Sequence, residues 1–199
     1  NQSEWATKQL GLKADPRPIL ALAPTANFYQ KQWHYENYLS LAKILTGNGG
    51  ILEGARVAIS GAPGAEAQAL PVVAGLPGSQ VINLVGKTTP MEAASLLSKA
   101  SLFIGNDSGP MHIGAAMGLP VVEISCHPQG GDPGHTNSPL RFGPWQVPQR
   151  ILRPMPADAS CNDYCSSQTA HCILGFKTSE VVSAALSLLP PPQKLKRLS

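Results

Sequence analysis

Short apolar runs alternate with amphipathic segments along most of this chain, and this alternation constrains its fold more than any other feature. The runs predicted as buried strands are 19–23, 55–60, 80–86, 101–105 and 120–125, with a sixth candidate at 149–154. The segments predicted as helices are 35–47, part of 65–75, 89–100, 108–118 and 178–189. Apolar strands that alternate with helices predict an α/β fold, a parallel sheet with helices on both faces.

Local signals mark the ends of several predicted helices. The helix at 35–47 has apolar residues three and four positions apart and ends at Gly47. Thr89 is a candidate N-cap, and Pro90 stands at the first helical position, which proline prefers. Pro71 is expected either near the start of its helix or where that helix breaks.

Three parts of the chain are expected: a linker or N-terminal segment at 1–18, one domain at 19–189 and a tail at 190–199. The tail carries "KLKR", which is either a solvated end or a weak contact with a membrane surface. A net charge of +3 is too weak to indicate nucleic-acid binding. The sequence has neither a secretory signal nor an apolar stretch long enough to span a membrane, so a cytoplasmic protein is expected.

Ligands of an open parallel sheet bind at the carboxyl ends of its strands. The turns predicted there are 24–34, 61–66, 105–112 and 126–145. None contains the G-x-G-x-x-G pattern of dinucleotide-binding folds or the G-x-x-x-x-G-K-[ST] pattern of P-loop proteins. The loop 127–137 is rich in Gly and Pro, and its sequence indicates no specific role.

The turn with the most candidate ligand-binding groups is "NDSGPMH", between a predicted strand and a helix. The first turn of a helix has unpaired amides and partial positive charge, both of which favour phosphate. Residues whose amides are expected to be free here are Ser108, Gly109, Met111 and His112. Asp107 would repel a phosphate, so it is expected to cap the helix or to bind a sugar hydroxyl. The alternative is a capped turn without a ligand.

The other turns offer single residues. Lys31 could neutralise a phosphate, and Thr25 could donate a hydroxyl hydrogen bond to it. Trp33 and His34 are more typical of packing than of catalysis. Glu66, at the start of a predicted helix, either stabilises that helix end or binds ribose hydroxyls.

The cysteines leave several interpretations open. Cys161, Cys165 and Cys172, with His171 beside the last, could bind zinc or another metal. Their spacing also fits a disulfide or free thiols, with Cys126 as a further partner.

The motifs together resemble glycosyltransferase family 9, the ADP-heptose:lipopolysaccharide heptosyltransferases. "DSGPMH" at 107–112, followed by "GLPVV" at 118–122, is similar to the family signature. "GKTTPMEAASLL" at 86–97 and "SPLRFGPW" at 138–145 resemble two further family patterns. Lys31 and Trp33 fall on a family Lys and Trp. The resemblance covers residues 19–145.

This resemblance implies a Rossmann-like domain, one half of a two-domain GT-B glycosyltransferase, that binds a nucleotide-sugar donor such as ADP-heptose. The residues implied to hold the donor diphosphate are Thr25, Lys31, Ser108, Gly109, Met111 and His112. Glu66 would bind ribose, and Asp107 would contact the sugar. Transfer would invert the anomeric centre and need no cofactor.

The resemblance also implies a lipid-linked or lipopolysaccharide acceptor and a location in the cytoplasm or at the inner face of the bacterial inner membrane. The catalytic base would belong to a missing N-terminal domain, so no catalytic residue is assigned. Two alternatives remain: a nucleotide or nucleotide-sugar binding module without catalysis, and a metal-binding protein built on the cysteines.

Overall fold

A computed structural model describes residues 2–156 and 169–190 of the chain. The strands are β1 (Ile19–Ala23), β2 (Arg56–Ile59), β3 (Val81–Asn83), β4 (Leu102–Asn106), β5 (Val121–Ile124) and β6 (Gln149–Leu152). The helices are α1 (Gln2–Gln9), α2 (Tyr35–Thr46), α3 (Glu66–Ala74), α4 (Pro90–Leu97), α5 (Gly109–Ala116), α6 (Pro139–Phe142) and α7 (Thr178–Leu188). Short 3-10 helices lie at Tyr29–Lys31 and Cys172–Gly175.

The strands form one parallel six-stranded sheet in the order β3-β2-β1-β4-β5-β6. In register, Leu20 of β1 lies opposite Val57 of β2 on one side and Leu102 of β4 on the other. The strand order reverses between β1 and β4, and ligands of such sheets bind outside the carboxyl ends of the strands at that point. The topology therefore places the turns after β1 and β4 where a ligand is expected.

Helices cover both faces of the sheet, which confirms the predicted α/β class. On one face α2, α3 and α7 bury apolar side chains that include Tyr38, Val72 and Val181. On the other face α1, α4 and α5 bury Ala6, Leu96 and Met111. The four central strands, β1, β2, β4 and β5, are buried from both sides, which is why they appeared as apolar runs, whereas the edge strands β3 and β6 are partly exposed.

The structure confirms the predicted strands, including the sixth, and most helix ends. Thr89 caps α4 in a capping box: its hydroxyl accepts from the Glu92 amide at 3.3 Å, and the Glu92 carboxylate accepts from the Thr89 amide at 2.8 Å. Pro71 differs from expectation, since it lies inside α3 and the helix continues to Ala74. Burial of Ala69 and Val72 on either side of the proline holds the helix together there.

The segment 1–18, expected to be a linker or N-terminal segment, contains helix α1. Ala6 and Leu10 are buried in a cluster that also contains Leu96 of α4. This segment therefore adds to the apolar core, although its own sequence is too polar to predict a helix. The tail residues 191–199 lie outside the described residues.

No helix in the described part of the chain is long and apolar enough to cross a membrane.

Candidate functional site

A cavity of about 720 Å³ lies at the carboxyl ends of β1, β2 and β4. Its walls come from the turns after these strands and from the segment after β5, with lining residues in the ranges 25–31, 62–68, 107–112 and 136–142. The cavity thus brings together residues from each of the turns that the sequence marked as candidates.

Lys31 and Asp107 form a largely buried ion pair in the cavity wall. The Lys31 Nζ atom lies 2.6 Å from Asp107 Oδ2, and the two side chains are only 13% and 10% exposed. Asp107 was expected to cap α5 or to bind a sugar hydroxyl; among the described residues its hydrogen-bond partner is Lys31. The pair fixes the ammonium group at the wall, with a carboxylate that partly offsets its charge.

The start of α5 faces the cavity without a side-chain cap from the described residues. Ser108 is the N-cap residue with extended backbone, and its buried hydroxyl has no hydrogen-bond partner in the described part of the chain. A Cβ atom at Gly109 would have nothing within 4 Å, so a ligand can approach the backbone closely. The first amides of α5 can therefore meet an anion.

Met111 differs from the expectation of a free amide. Its N–H donates to the Ser108 carbonyl at 3.0 Å, and its side chain is fully buried in the core. Met111 therefore stabilises the first turn of α5 from within. The amide of His112 is not free either, because the carbonyl of the N-cap Ser108 accepts the first intrahelical hydrogen bond from it. The His112 side chain is exposed and lines the cavity.

Thr25 and Glu66 occupy different parts of the site. Thr25 lines the cavity, is 3% exposed, and packs beside Gly61, where a Cβ would lie 2.9 Å from the Thr25 hydroxyl. Glu66 is exposed at the start of α3 and is not among the cavity-lining residues. Its carboxylate lies over Gly86, whose positive φ of 66° and missing side chain leave room for it. Glu66 is thus placed between the turns after β2 and β3.

Trp33 packs in the core, as expected, and does not line this cavity. Its indole N–H donates to the Phe176 carbonyl at 3.1 Å, and its ring meets Tyr38 edge-on at 5.1 Å. His34 is half-exposed and stacks on Tyr35. Sequence reasoning missed Asn106, which is fully buried and accepts hydrogen bonds from the Tyr38 hydroxyl at 2.9 Å and the Trp33 amide at 3.2 Å. Asn106 thereby fastens the turn that carries Lys31 to the end of β4.

Sequence reasoning also missed Glu123, on β5 beside the site. Glu123 is fully buried, and neither of its carboxylate oxygens has a hydrogen-bond partner of normal geometry among the described residues. Burial and, secondly, the nearby Asp107 carboxylate raise the pKa of Glu123 to about 8. The available sequence signal was an acidic residue within the apolar run "PVVEIS".

The segment after β5 closes the cavity on one side. His127 is buried and stacks on His135 with ring centroids 5.5 Å apart. Burial lowers the pKa of His127, which favours its neutral form. Thr136 and Arg141 of this segment line the cavity, and the Arg141 guanidinium lies 4.8 Å from the Phe142 ring centroid while donating to the Gly134 carbonyl at 3.0 Å. The loop 127–137, whose role could not be assigned from its sequence, thus holds Arg141 at the cavity through the Gly134 carbonyl.

The described residues contain no group of three or more His, Cys, Asp or Glu side chains arranged to hold a metal ion. Cys172 is buried, and its sulfur lies 3.0 Å from His171 Nδ1. Cys126 is half-buried at the edge of the core. Cys161 and Cys165 lie outside the described residues, so the predicted cysteine site stays a prediction.

Comparison with known proteins gives a consistent result. A sequence model of glycosyltransferase family 9 (heptosyltransferase) matches residues 2–169 of the chain. Lipooligosaccharide heptosyltransferase 2 of Haemophilus influenzae is 34% identical over 121 residues, which are 59% of this chain and 33% of that protein. Lipopolysaccharide heptosyltransferase 2 of Salmonella typhimurium is 32% identical over 112 residues, which are 54% of this chain and 31% of that protein.

Solved structures share the fold. ADP-heptose lps heptosyltransferase II of E. coli superposes with a TM-score of 0.70 at 22% identity, covering 94% of this chain and 50% of that one. A glycosyl transferase family 9 protein of Veillonella parvula gives a TM-score of 0.73 at 21% identity, with 94% and 51% covered. The chain thus aligns with about a third of the length of its curated relatives and spans half of these structures, with the Rossmann-like architecture of one half of a GT-B glycosyltransferase. The family match over residues 2–169 shows that the chain belongs to glycosyltransferase family 9, the heptosyltransferases.

Proposed function

We propose that this chain is the donor-binding half of an inverting glycosyltransferase that uses a nucleotide-sugar, ADP-heptose, in lipopolysaccharide core synthesis. The observation that carries the proposal is the cavity at the strand ends, where the start of α5 and the Lys31 ammonium converge. Both features favour a diphosphate. The relatives, which include a lipopolysaccharide heptosyltransferase 2 and E. coli heptosyltransferase WaaC, solved with ADP, support the choice of donor.

Each donor group has a proposed position. The diphosphate contacts Lys31, the Ser108 hydroxyl and the amides of Ser108 and Gly109, while Thr25 contributes its hydroxyl and His112 its exposed ring. Met111 supports this turn from the core, since its amide is bonded to Ser108. Glu66 binds the ribose at the edge of the cavity. Asp107 orients Lys31 and contacts the sugar.

The proposed reaction follows from this arrangement. The acceptor hydroxyl oxygen attacks the anomeric carbon from the side opposite the diphosphate, the bond between that carbon and the phosphate oxygen breaks, and a base removes the hydroxyl proton. Negative charge grows on the leaving diphosphate as this bond breaks. Fixed amides and the Lys31 charge stabilise it more in the transition state than in the ground state, which is what accelerates the step.

The cavity supplies this stabilisation with amides and cations, and we propose that transfer needs no metal or other cofactor. Lys31 and Arg141 are the lysine and arginine that line the cavity among the described residues. Asp107, the carboxylate in its wall, is held by Lys31. Donor binding and transfer are therefore expected to persist in the presence of EDTA.

The remaining parts of the reaction are assigned outside the described cavity. We propose that a lipid-linked or lipopolysaccharide acceptor and the catalytic base approach from an N-terminal domain, on the cytoplasmic side of the inner membrane. The carboxylates near the cavity support this assignment, because Asp107 is paired with Lys31 and Glu123 is buried. A carboxylate in either position is poorly placed to accept a proton from an acceptor hydroxyl.

Calorimetric titration of the chain with ADP tests the proposal. Lys31→Ala removes a charge-assisted contact and Ser108→Ala removes a hydroxyl contact, so each is expected to weaken ADP binding by about tenfold or more. Lys43→Ala, on the exposed side of α2, is the matched control and should bind ADP as the wild type does. Circular dichroism checks that each variant is folded.

Two results would count against the proposal. Failure of the wild-type chain to bind ADP would remove the donor site altogether. Equal affinity in wild type, Lys31→Ala and Ser108→Ala would place ADP elsewhere. Binding of ADP without sugar transfer in the complete protein would instead favour a binding module without catalysis.

A further inference from the structure

Glu123 is a buried acid that the proposed reaction does not use. It lies on β5 opposite Gly105 of β4 and Ile151 of β6. Ala23 and the Phe103 ring fill the space at Gly105, and the turn that carries Asp107 begins at the end of the same strand, β4. The position is thus next to the Lys31–Asp107 pair, although Glu123 does not line the cavity itself.

Full burial without a hydrogen bond of normal geometry to the described residues is costly for a charged carboxylate. Asp107 opposes ionisation of Glu123 by repulsion, while Lys31 and Ser125 favour it more weakly. The balance raises the pKa of Glu123 to about 8, so this side chain is mostly neutral at pH 7. Of the two neighbouring carboxyl groups, Asp107 and Glu123, only that of Asp107 is therefore charged beside the Lys31 ammonium at neutral pH.

We infer that Glu123 is a positioning residue of the donor site. While Glu123 is neutral, the charge of Lys31 can attract the donor diphosphate, and ionisation of Glu123 weakens diphosphate binding. This inference rests on the proposed function. Ionised Glu123 would add a second carboxylate beside Lys31 and repel the diphosphate through the buried wall, where screening by solvent is weak. By linkage, bound diphosphate favours the protonated form of Glu123, so binding at alkaline pH takes up a proton.

Other titratable groups lie on the elements around Glu123, Asp107 and Lys31, and their effects on ADP binding must be distinguished from that of Glu123. α5 carries His112, the loop after β5 carries His127, and β6 carries Arg150. α7 packs on the opposite face of the sheet and carries Glu180. Ordinary imidazole and carboxyl groups change charge below pH 8 and arginine stays charged, whereas a thiol ordinarily ionises between pH 8 and 9.5. Cys126 follows β5 and is kept in Glu123→Gln, so an effect of its thiol would persist in that variant. Lys31 itself remains in a Glu123 variant, so any effect of its own titration would persist there.

The test is calorimetric titration of the wild-type chain and Glu123→Gln with ADP at pH 7, 8.5 and 9.5, each in two buffers of different ionisation enthalpy. Wild-type affinity should fall several-fold between pH 7 and 9.5, with uptake of roughly half a proton per ADP at pH 8.5. Phosphate groups of ADP have lost their last proton well below this pH, so they do not contribute. Glu123→Gln should show neither the fall nor the uptake.

Glu53→Gln is the matched control, because Glu53 is exposed and precedes β2 at the amino ends of the strands, away from the site at their carboxyl ends. It should behave as the wild type at every pH. The outcomes are distinguishable: absence of ADP binding at pH 7 in the wild type refutes the donor site itself. Binding at pH 7 with no proton uptake at pH 8.5 in the wild type refutes the role of Glu123 alone, and this measurement does not depend on the variant folding.

Discussion

At the scale of single residues, a carboxyl group that is neutral in the folded protein and charged in the unfolded chain makes stability depend on pH. The pKa of Glu123 rises from 4.5 to about 8 on folding. Between these two values the folded state binds a proton that the unfolded state has released. The free energy of unfolding therefore falls as pH rises across this window, and above about pH 8 the full penalty is present.

We expect Glu123→Gln to remove this dependence, because the amide does not ionise. Relative to wild type, the variant should gain stability from pH 5 to pH 9, by on the order of 3 kcal/mol. Urea denaturation of both proteins at pH 5, 7 and 9 measures the difference, in which the titration of all other groups cancels. A constant difference between the two proteins over this range would show that Glu123 is ionised throughout.

The same scale explains which residues the sequence could and could not predict. Ser108 and Gly109 stand at a strand-to-helix junction, where local chemistry alone predicts an anion site. The Lys31–Asp107 pair joins residues 76 positions apart, so their contact depends on the neighbouring positions of β1 and β4 in the sheet. Sequence reasoning placed both residues in the site but did not predict that they form an ion pair. It expected Asp107 to cap α5 or to bind a sugar hydroxyl, and in the structure Asp107 accepts a hydrogen bond from Lys31.

At the scale of elements, α5 separates stability from binding along its own length. Gly109 at its start borders open space, whereas a Cβ at Gly114 would lie 3.1 Å from the Phe103 ring of β4. Two requirements thus explain why this helix has small residues. The start of the helix must leave room for a ligand, and its middle must pack closely on the sheet.

Gly109→Ala should therefore affect ADP binding, whereas Gly114→Ala should affect stability. Gly109→Ala should leave the free energy of unfolding nearly unchanged and weaken ADP binding about tenfold, because its methyl group stands where the diphosphate meets the backbone amides. Gly114→Ala should lower the free energy of unfolding by about 1 kcal/mol, since overpacking against Phe103 exceeds the gain in helix propensity. Urea denaturation and ADP titration of both variants check this. Equal ADP affinity in Gly109→Ala and wild type would place the diphosphate away from the start of α5.

Elements were predictable where burial dictated composition. The four central strands are buried on both faces and therefore form apolar runs, and α4 shows its N-cap in the sequence. Tertiary contacts decided the rest. α1 is held by packing of Ala6 and Leu10 against α4 rather than by its own propensity, and α3 continues past Pro71 because its buried side holds it against α2.

At the scale of the whole molecule, the described residues form the proposed donor site, and none of its titratable side chains is placed to act as a base for an acceptor. Asp107 is bound to Lys31, and Glu123 is buried and neutral at pH 7. His112 is the exposed titratable side chain at the start of α5, where it borders the proposed diphosphate rather than an open acceptor site. Since the chain spans half of the solved family structures, the base is expected from the other half.

The chain alone should therefore bind ADP-heptose but transfer no heptose to a lipopolysaccharide acceptor. Calorimetry measures the binding, and mass spectrometry of the acceptor after incubation measures the transfer. A protein that contains both halves is the positive control, and Lys31→Ala in that protein should lower its transfer rate, because leaving-group charge is less stabilised. Transfer by the isolated chain would show that a base lies within it. His112→Ala would then be the first variant to examine, since loss of transfer with retained ADP binding would identify His112 as that base.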